Sequence, residues 1–156
     1  YAQSKLLTTC TFSATIERVG SYAFEKCKWL TSVNKMTHVT SIGDCAFSGC
    51  QRLESVDVSD LLQQIGKRAF EHCTSLRTIR IPEGVTEIPD RAFYRCSSLK
   101  EVALPSTIQR IGTEAFAFCT QLEKVDFPDG VKIEKRAFAW CNQLERAVLE
   151  RVGNEV

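Results

Sequence analysis

The stretch that decides the fold reads Ala-Phe-Tyr-Arg-Cys-Ser-Ser-Leu, at residues 92–99. Its skeleton, Ala-Phe-x-x-Cys-x-x-Leu, occurs six times along the chain. The repeated alanines are Ala23, Ala46, Ala69, Ala92, Ala115 and Ala137. Four successive steps measure 23 residues and the last measures 22. A self-similar period of this length is the signature of a solenoid, in which each repeat buries its apolar side only against its neighbours.

Each repeat contains a predicted strand. Between residues 99 and 105, apolar side chains alternate at Val102 and Leu104, which is the period of a strand with one face inward. Pro105 follows and helps to end the strand, because proline has no N–H to donate to a further ladder. Successive strands are expected to pair in parallel, about 4.8 Å apart.

The Ala-Phe-x-x-Cys block is predicted to lie on a short helical segment, because its inward residues recur at helical spacing. In four repeats a glycine precedes the block, where the backbone needs a positive φ or a close approach to the next repeat. These glycines are Gly20, Gly43, Gly66 and Gly112. The following position suits a helix N-cap in four of the six repeats. The N-cap candidates are Ser21, Asp44, Asp90 and Thr113.

These elements predict one α/β solenoid domain over residues 1–156, with a parallel sheet on one side and short helical segments on the other. The solenoid is expected to be right-handed, because parallel crossovers almost always are. The six phenylalanines of the repeat should stack as a spine along the helical side. Both ends fall within a partial repeat, and neither shows the polar cap of a terminal repeat. We therefore expect either an excerpt of a longer array or ends that other chains cover.

One repeat is shorter than the others. A single residue separates Val131 from Ile133, where the two repeats before it have two residues between the equivalent apolar pair. We predict a tightened turn there without loss of the stack, because a loop absorbs a deletion at lower cost than a strand does. A break in the sheet at residues 125–127 would contradict this prediction.

Composition and charge exclude several classes of protein. Of the 156 residues, 44% are hydrophobic and 25% are charged, which is typical of a globular domain that can bury a core. Twenty basic residues against nineteen acidic ones leave a net charge of +1, so there is no electrostatic case for binding nucleic acid or an anionic membrane. The apolar runs are only a few residues long, so no membrane insertion is expected. The sequence from Tyr1 onward does not have the pattern of a secretion signal.

Six of the eight cysteines occupy one phase of the repeat, which predicts a column of buried, reduced thiols. They are Cys27, Cys50, Cys73, Cys96, Cys119 and Cys141. This long spacing differs from the short Cys-x-x-Cys spacing of a zinc site, and His38 and His72 lie in different phases. We therefore expect no metal and no cofactor. Catalysis is not expected either, because a regular array offers no irregular cluster of acids, bases and nucleophiles.

The full repeat reads Leu-x-x-Val-x-Leu-Pro followed by Ile-Gly-x-x-Ala-Phe-x-x-Cys, as at residues 99–105 and 111–119. It resembles the BspA-type (Treponema pallidum-type) leucine-rich repeats over nearly the whole chain. The resemblance implies a curved leucine-rich-repeat solenoid with its parallel sheet on the concave side. It also implies adhesion and protein binding, often within large surface or secreted proteins, so an extracellular or cell-surface location is favoured. The sequence lacks the asparagine ladder of the commoner leucine-rich repeats, so the ligands that those repeats bind are not expected for this chain.

The outward residues of the strands, with the row beside them, are the first candidates for binding a partner. We single out Arg77, Arg80, Lys100, Glu101, Lys124 and Asp126. Arg77 and Arg80 are the best anchors, because this row has no aromatic residue and arginine often dominates binding energy. The alternative is that these side chains form small or oppositely charged cross-strand pairs that keep the sheet soluble.

A second candidate surface lies on the helical side. The residue before the repeat cysteine changes from polar in most early repeats to aromatic at Phe118 and Trp140, and Tyr94 lies one repeat away. Neighbouring exposed aromatic residues can mark a site for a partner or an adjoining domain. The alternative is that sequence beyond the C-terminus folds over them as a cap.

Two functions follow from these surfaces. The first is a non-catalytic interaction module that presents a rigid surface to a protein or a glycan, and the resemblance implies that it is part of a cell-surface or secreted adhesin. The second is a structural spacer or assembly subunit, whose ends and aromatic residues are buried by neighbouring chains.

Overall fold

The computed structural model describes residues 7–152, so residues 1–6 and 153–156 of the predicted domain lie outside the described residues. Within the described range the chain forms twelve short strands and one helix. The strands are β1 (Thr9–Thr11), β2 (Arg18–Val19), β3 (Ser32–Asn34), β4 (Ser41–Ile42), β5 (Ser55–Val56), β6 (Gln64–Ile65), β7 (Thr78–Arg80), β8 (Glu87–Ile88), β9 (Glu101–Ala103), β10 (Arg110–Ile111), β11 (Lys124–Asp126) and β12 (Lys132–Ile133). The helix is α1 (Arg146–Val152).

The strands form two faces of a solenoid. Odd-numbered strands line one face, which we call the strand face, and even-numbered strands line the second. Neighbouring strands pair in parallel, and in the sheet of β7, β9 and β11 the residues Ile79, Val102 and Val125 are in register. Each face is divided into two three-stranded sheets, between β5 and β7 and between β6 and β8. The predicted parallel solenoid is therefore confirmed.

A third side of the repeat, residues 20–27 and their equivalents, is the turn face. No helix precedes α1 in the described chain, so the predicted short helical segments are wrong. Consecutive turns replace them, and in the first the Ala23 N–H donates to Gly20 O at 3.2 Å. Tyr22, the third residue of that turn, has a φ of 60°, and Lys26 repeats this with 59°. A right-handed helix cannot contain such left-handed residues, so the apolar spacing comes from repeated turns.

Hydrogen bonds between repeats explain why the chain forms turns. Alternate N–H groups of each turn-face segment donate to carbonyls of the next repeat, and we call these bonds the turn ladder. In the first rung set Tyr22, Phe24 and Lys26 donate to the carbonyls of Asp44, Ala46 and Ser48, at 2.7–2.9 Å. In a helix the same N–H groups would bond along the chain's own axis. The two patterns exclude each other, and the repeat array selects the bonds between repeats.

Close packing requires three of the glycines before the turns, Gly43, Gly66 and Gly112. A Cβ on Gly66 would lie 2.3 Å from the carbonyl carbon of Gly43, and a Cβ on Gly43 would lie 2.5 Å from the backbone nitrogen of Ser21. Only Gly49 and Gly130 have a positive φ among the described glycines. Of the two reasons given for these glycines, the close approach of neighbouring repeats therefore applies at Gly43, Gly66 and Gly112, whereas a Cβ on Gly20 would meet no described atom within 4 Å.

The N-cap prediction is wrong, because no helix begins at that position. The Asp44 carboxylate accepts a hydrogen bond from the Lys67 N–H at 2.8 Å, and the Asp90 carboxylate accepts one from the Thr113 N–H at 3.0 Å. Both bonds reach the following repeat. Aspartate at this position thus joins neighbouring repeats, while Ser21 and Thr113 stand at the same position with no helix to cap.

The predicted phenylalanine spine is confirmed. Neighbouring rings lie 5.1–5.3 Å apart between centroids, with interplanar angles of 1–8°. The rings belong to Phe24, Phe47, Phe70, Phe93, Phe116 and Phe138. From Ala46 onward the alanine before each ring is buried as well, so its small side chain leaves room for the ring.

The column of buried, reduced cysteines is also confirmed. The Cys50 thiol donates to Phe24 O at 3.1 Å, and the later thiols of the column repeat this bond one repeat further on. Burial raises the pKa of Cys50 to about 12 and that of Cys73 well above its ordinary value. These thiols therefore stay protonated and serve packing.

The shortened repeat keeps the stack, as predicted. β11 pairs with β9 from Lys124 to Asp126, and β12 pairs with β10 with Ile133 opposite Ile111. The deletion is absorbed between these strands, in the turn after Pro128, because neither strand register changes.

The last partial repeat departs from the predicted strand. Arg146 and Val148 stand at the positions that are outward strand residues in the earlier repeats, but both lie in α1. The Glu145 N–H still donates to Glu123 O at 3.2 Å, and the Leu149 N–H then bonds to Glu145 O at 3.2 Å as the helix begins. The helix forms because it turns apolar side chains, with Val148 buried, onto the exposed end of the core.

Candidate functional site

Four rings form a continuous row on the turn face, which we call the aromatic stripe. It consists of His72, Tyr94, Phe118 and Trp140. Successive ring centroids are 5.9, 5.5 and 5.9 Å apart. Trp140 is 57% exposed, while the other three side chains are half-buried. The structure thus brings together the predicted Tyr94, Phe118 and Trp140 and adds His72.

The backbone explains why these rings point outward. His72, Phe118 and Trp140 occupy the position before the repeat cysteine, where φ is 59–62°. At this position the N–H is directed toward the next repeat and the cysteine that follows is buried, so the side chain stands at the surface. Tyr94 lies one residue before the equivalent position, which Arg95 holds. A left-handed conformation at a non-glycine residue is costly, so the turn ladder enforces this row.

Two arginines flank the stripe. The guanidinium carbon of Arg95 lies 5.6 Å from the Tyr94 ring centroid and 5.1 Å from that of Phe118. Arg91 lies 5.2 Å from the Tyr94 ring, and its Nε donates to the Glu114 carboxylate at 2.6 Å. These contacts are cation–π interactions. They give the stripe a positively charged border and restrain the rings.

A groove of about 560 Å³ adjoins the stripe through Arg91 and Glu114. Its polar lining is largely tied up in ion pairs, including Lys67 with Asp90 at 3.4 Å and Arg91 with Glu114. Burial opposes ionisation of Asp90, but hydrogen bonds from Arg110 and other donors outweigh burial and lower the pKa of Asp90. The groove therefore stabilises the repeats and carries no unpaired buried side chain.

The strand-face candidates do not converge in the same way. Arg80 pairs with Asp60 of the preceding repeat, and all members of the set are exposed. Glu101 is in register with Lys124, and Ala103 separates Arg80 from Asp126 along the register. Within residues 7–152 the carboxylates and amines of Lys100, Glu101, Lys124 and Asp126 form no ion pair. Arg77 and Lys100 lie in the adjoining row, with the Lys100 N–H donating to Arg77 O at 2.9 Å.

Sequence reasoning missed part of the stripe and one further ring. His72 and Arg95 precede a repeat cysteine, as Trp140 does. This shared position is the sequence feature that could have placed them beside the predicted rings. Trp29 is 47% exposed, and the guanidinium carbon of Arg52 lies 4.5 Å from its ring centroid. Trp29 and Arg52 both stand two residues after a repeat cysteine, which is the pattern that could have revealed this pair.

Chemistry-bearing residues do not cluster elsewhere in the described chain. No group of three or more His, Cys, Asp or Glu side chains among residues 7–152 could hold a metal ion. His38 contacts the Thr37 hydroxyl at 3.1 Å, and His72 packs on Tyr94. In the same range, no helix has the length and apolar character needed to cross a bilayer.

The repeated columns and the parallel solenoid define a leucine-rich-repeat protein. The model of the BspA type leucine rich repeat region matches the chain in six copies, over residues 1–58 and 17–145. The chain therefore belongs to the BspA-type leucine-rich repeat family. A comparison with curated proteins gave no match.

Solved structures of bacterial proteins share this fold. A leucine-rich repeat protein from Bacteroides ovatus is 38% identical, with a TM-score of 0.83 over 88% of this chain, and the chain spans 36% of its length. The T. pallidum leucine-rich repeat protein is 24% identical, with a TM-score of 0.71. The match covers 94% of this chain and 84% of the T. pallidum chain. A third leucine-rich repeat protein, from Eubacterium ventriosum, is 26% identical, with a TM-score of 0.62. The match covers 85% of this chain and 42% of the Eubacterium chain. Membership of this repeat family suggests a protein-interaction or structural module.

Proposed function

We propose that the chain is a non-catalytic protein-binding module whose contact surface is centred on the aromatic stripe. The observation that carries the proposal is Trp140, which is 57% exposed and stacked 5.9 Å from Phe118. A large ring held outward by a neighbouring ring loses little conformational freedom when a partner covers it. Tryptophan, tyrosine and arginine are also the residues that most often dominate the energy of protein interfaces.

The strand face is the weaker candidate for the same role. Its side chains are small or charged, and exposed charges contribute little to affinity. Its arginine anchor Arg80 is already paired with Asp60. We retain Arg77, Arg80, Lys100, Glu101, Lys124 and Asp126 as a second proposed contact surface.

The chain offers a matched control for the stripe. Trp140→Asp removes the exposed ring of the stripe, and Trp29→Asp removes a similarly exposed ring elsewhere. We expect Trp140→Asp to reduce partner capture from the native source at least about tenfold, with the melting temperature unchanged. Trp29→Asp should capture as the wild type does. Equal capture by both variants would contradict the proposal that the aromatic stripe binds the partner. If only the Arg77→Ala/Arg80→Ala variant loses capture, the binding site lies on the strand face instead.

The class of ligand is tested on the captured material. Protease treatment of the source should abolish capture if the ligand is a protein, whereas glycosidase treatment should abolish it if the ligand is a glycan. The family resemblance extends the proposal to adhesion at a cell surface or in a secreted protein. Antibody labelling of intact cells, without permeabilisation, tests that location.

The alternative function is a structural spacer or assembly subunit. Size-exclusion chromatography with light scattering separates the two functions. A monomer at all concentrations favours the binding module, while oligomers that grow with concentration favour the assembly subunit. A large loss of stability in Trp140→Asp would likewise indicate that the ring is covered rather than free.

A further inference from the structure

The face formed by the even-numbered strands, which we call the even-strand face, has a ladder that is interrupted at one interface between repeats. The Gln63 N–H donates to Thr40 O at 2.9 Å, and the Gln109 N–H donates to Thr86 O at 2.8 Å. The Thr86 N–H has the equivalent position between them, where its acceptor would be Gln63 O. Among residues 7–152 this N–H donates to no backbone carbonyl, so one rung of the ladder is missing between β6 and β8.

Pro89 removes a second rung from the same interface. At the equivalent position of the preceding repeat, the Gly66 N–H donates to Ile42 O at 2.7 Å. Proline has no N–H, so the Ile65 carbonyl lacks the donor that its equivalents have. The interruption coincides with the boundary between the two sheets of this face.

The missing donor, rather than the side chain of proline, accounts for this lost rung. Glu134 stands at the same position two repeats later and also has a side chain in place of the usual glycine. Its N–H donates to Ile111 O at 2.9 Å, and β12 stays paired with β10. A side chain at this position is therefore compatible with the ladder as long as the N–H is present.

A groove of about 500 Å³ lies over the interrupted ladder. Gln63 and Gln64 line it on one side, and Thr86 and Glu87 line it on the other. In the part of the chain that the structure describes, no side-chain hydrogen bond or ion pair joins these two pairs of residues across the groove. Glu87 instead pairs with Arg110 of the following repeat, at 2.7 Å. Side chains therefore do not replace the lost backbone bonds.

The strand face is loosened at the same interface, because β5 and β7 belong to separate sheets. The distance from the Arg77 nitrogen to Glu54 O is 3.5 Å. One repeat later, the distance from the Lys100 nitrogen to Arg77 O is 2.9 Å. A separation of 3.5 Å is longer than a normal N–H···O bond. On either side of this interface, both faces are paired without interruption.

The turn face is intact at this interface. The Phe70 N–H donates to Ala92 O at 2.8 Å, and the Phe70 ring stacks on that of Phe93 with centroids 5.3 Å apart. Both distances match those at the other interfaces. The turn ladder and the phenylalanine spine therefore hold the two repeats together on this side.

The interface is also closed at the corner between the two strand faces, at residues 58–62 and their equivalents. A Cβ built on Gly84 would lie 2.6 Å from Leu62 O, so the backbones of the two repeats are in close contact there. The ion pair of Arg80 with Asp60 joins the same two repeats near this corner. The corner and the turn face thus define an axis of contact. The strand face lies to one side of that axis, because the chain follows the strand face before it reaches the corner.

We propose that this interface is a flexible joint, at which the repeats of β1–β6 and those of β7–β12 tilt about the corner and the turn face and change the spacing between β5 and β7. Each half moves as one body, because its strands are paired on both faces. Repeats of a solenoid contact only their neighbours, so one weak interface is enough to separate the motions of the two halves. The joint lets the strand face change its curvature without unfolding either half. The proposal does not depend on which surface binds a partner.

Residual dipolar couplings of the backbone N–H groups, measured in weakly aligned solution, test the joint. The couplings of residues 7–73 and of residues 76–152 are fitted separately to an alignment tensor. We expect the two halves of the wild-type chain to require tensors of different magnitude, because motion between the halves averages their alignment unequally. A single tensor that fits both halves of the wild-type chain overturns the proposal.

Two substitutions restore the missing donor. Pro89→Ala supplies an N–H with a small side chain, and Pro89→Gly supplies the residue that most other repeats have. In at least one folded variant, we expect a single tensor to fit both halves. The closed ladder should also pair the Thr86 N–H with Gln63 O, so its exchange with solvent should slow at least about tenfold. Near-ultraviolet circular dichroism establishes which variant is folded.

Pro105→Ala is the matched control, because Pro105 is buried as Pro89 is but lies outside this interface. It should still require two tensors. Two tensors in every folded Pro89 variant would overturn the proposal. A single tensor in Pro105→Ala would also contradict it, because the effect would then not depend on the missing rung.

Discussion

The strand face and the turn face connect the same repeats by different means. On the strand face, short parallel strands pair through a regular ladder, and the outward side chains are small or charged. On the turn face, left-handed residues direct alternate N–H groups to the next repeat. The phenylalanine spine and the thiol column lie beneath those turns. The comparison indicates that the turn face buries the stacked rings and the thiols of the core, and that it also carries the rings with the strongest case for binding.

The largest loss of stability is expected from a substitution at the centre of the phenylalanine spine. Phe93 is fully buried with stacked rings on both sides, so Phe93→Ala should lower the free energy of unfolding by about 3–5 kcal/mol. Urea denaturation measures the loss. The exposed Thr78→Ala on the strand face is the control, expected within about 0.5 kcal/mol. Similar losses for the two variants would remove the distinction between the faces.

The buried thiols of the turn face should make stability depend on pH. Burial raises the pKa of Cys50 and of Cys141 to about 12, from an ordinary thiol value of 9.0. The protonated thiol is favoured in the folded state, so its contribution is complete below pH 9 and is lost as pH rises toward 12. Each such thiol should add a slope of about 1.4 kcal/mol per pH unit in this range. Denaturation at several pH values should show a smaller slope for Cys50→Ala, and an unchanged slope would contradict the burial effect.

The left-handed residues of the turn face predict a gain in stability. Arg68 is exposed, forms no ion pair within residues 7–152 and has a φ of 57°. Glycine adopts this conformation without the steric cost of a Cβ, so Arg68→Gly should raise the free energy of unfolding by about 1 kcal/mol. The opposite sign is expected for Thr78→Gly in β7, where glycine weakens a strand by about 0.5–1 kcal/mol. Thermal unfolding of the two variants checks both signs.

The smallest effect belongs to the ion pair of the strand face. Arg80 and Asp60 have side chains that are 63% and 80% exposed, so solvent screens their attraction. Arg80→Ala should therefore lower stability by at most about 0.5 kcal/mol, and added salt should make the difference smaller. A loss of several kcal/mol would show that the strand face contributes more than its exposure indicates.

The candidate site was partly predictable. The column before the repeat cysteine identifies Phe118 and Trp140 as neighbours because a constant period places equivalent residues in adjacent repeats. It could not show that Tyr94 bridges His72 to Phe118, because Tyr94 lies one position out of the column. The strand-face set was correctly placed at the surface, but the pairing of Arg80 with Asp60 depends on a turn outside the strands.

The spacing of residues along the chain is enough to predict the solenoid, the parallel register, the phenylalanine spine and the buried thiols. A fixed period brings identical side chains into contact whatever the local backbone does, so these features depend on spacing alone. It is the stacking of the repeats that leaves the described part of the turn face without a helix before α1 and places α1 against the last repeat. Those outcomes depend on whether an N–H bonds along its own chain or across to a neighbouring repeat, and that choice exists only once the repeats are stacked.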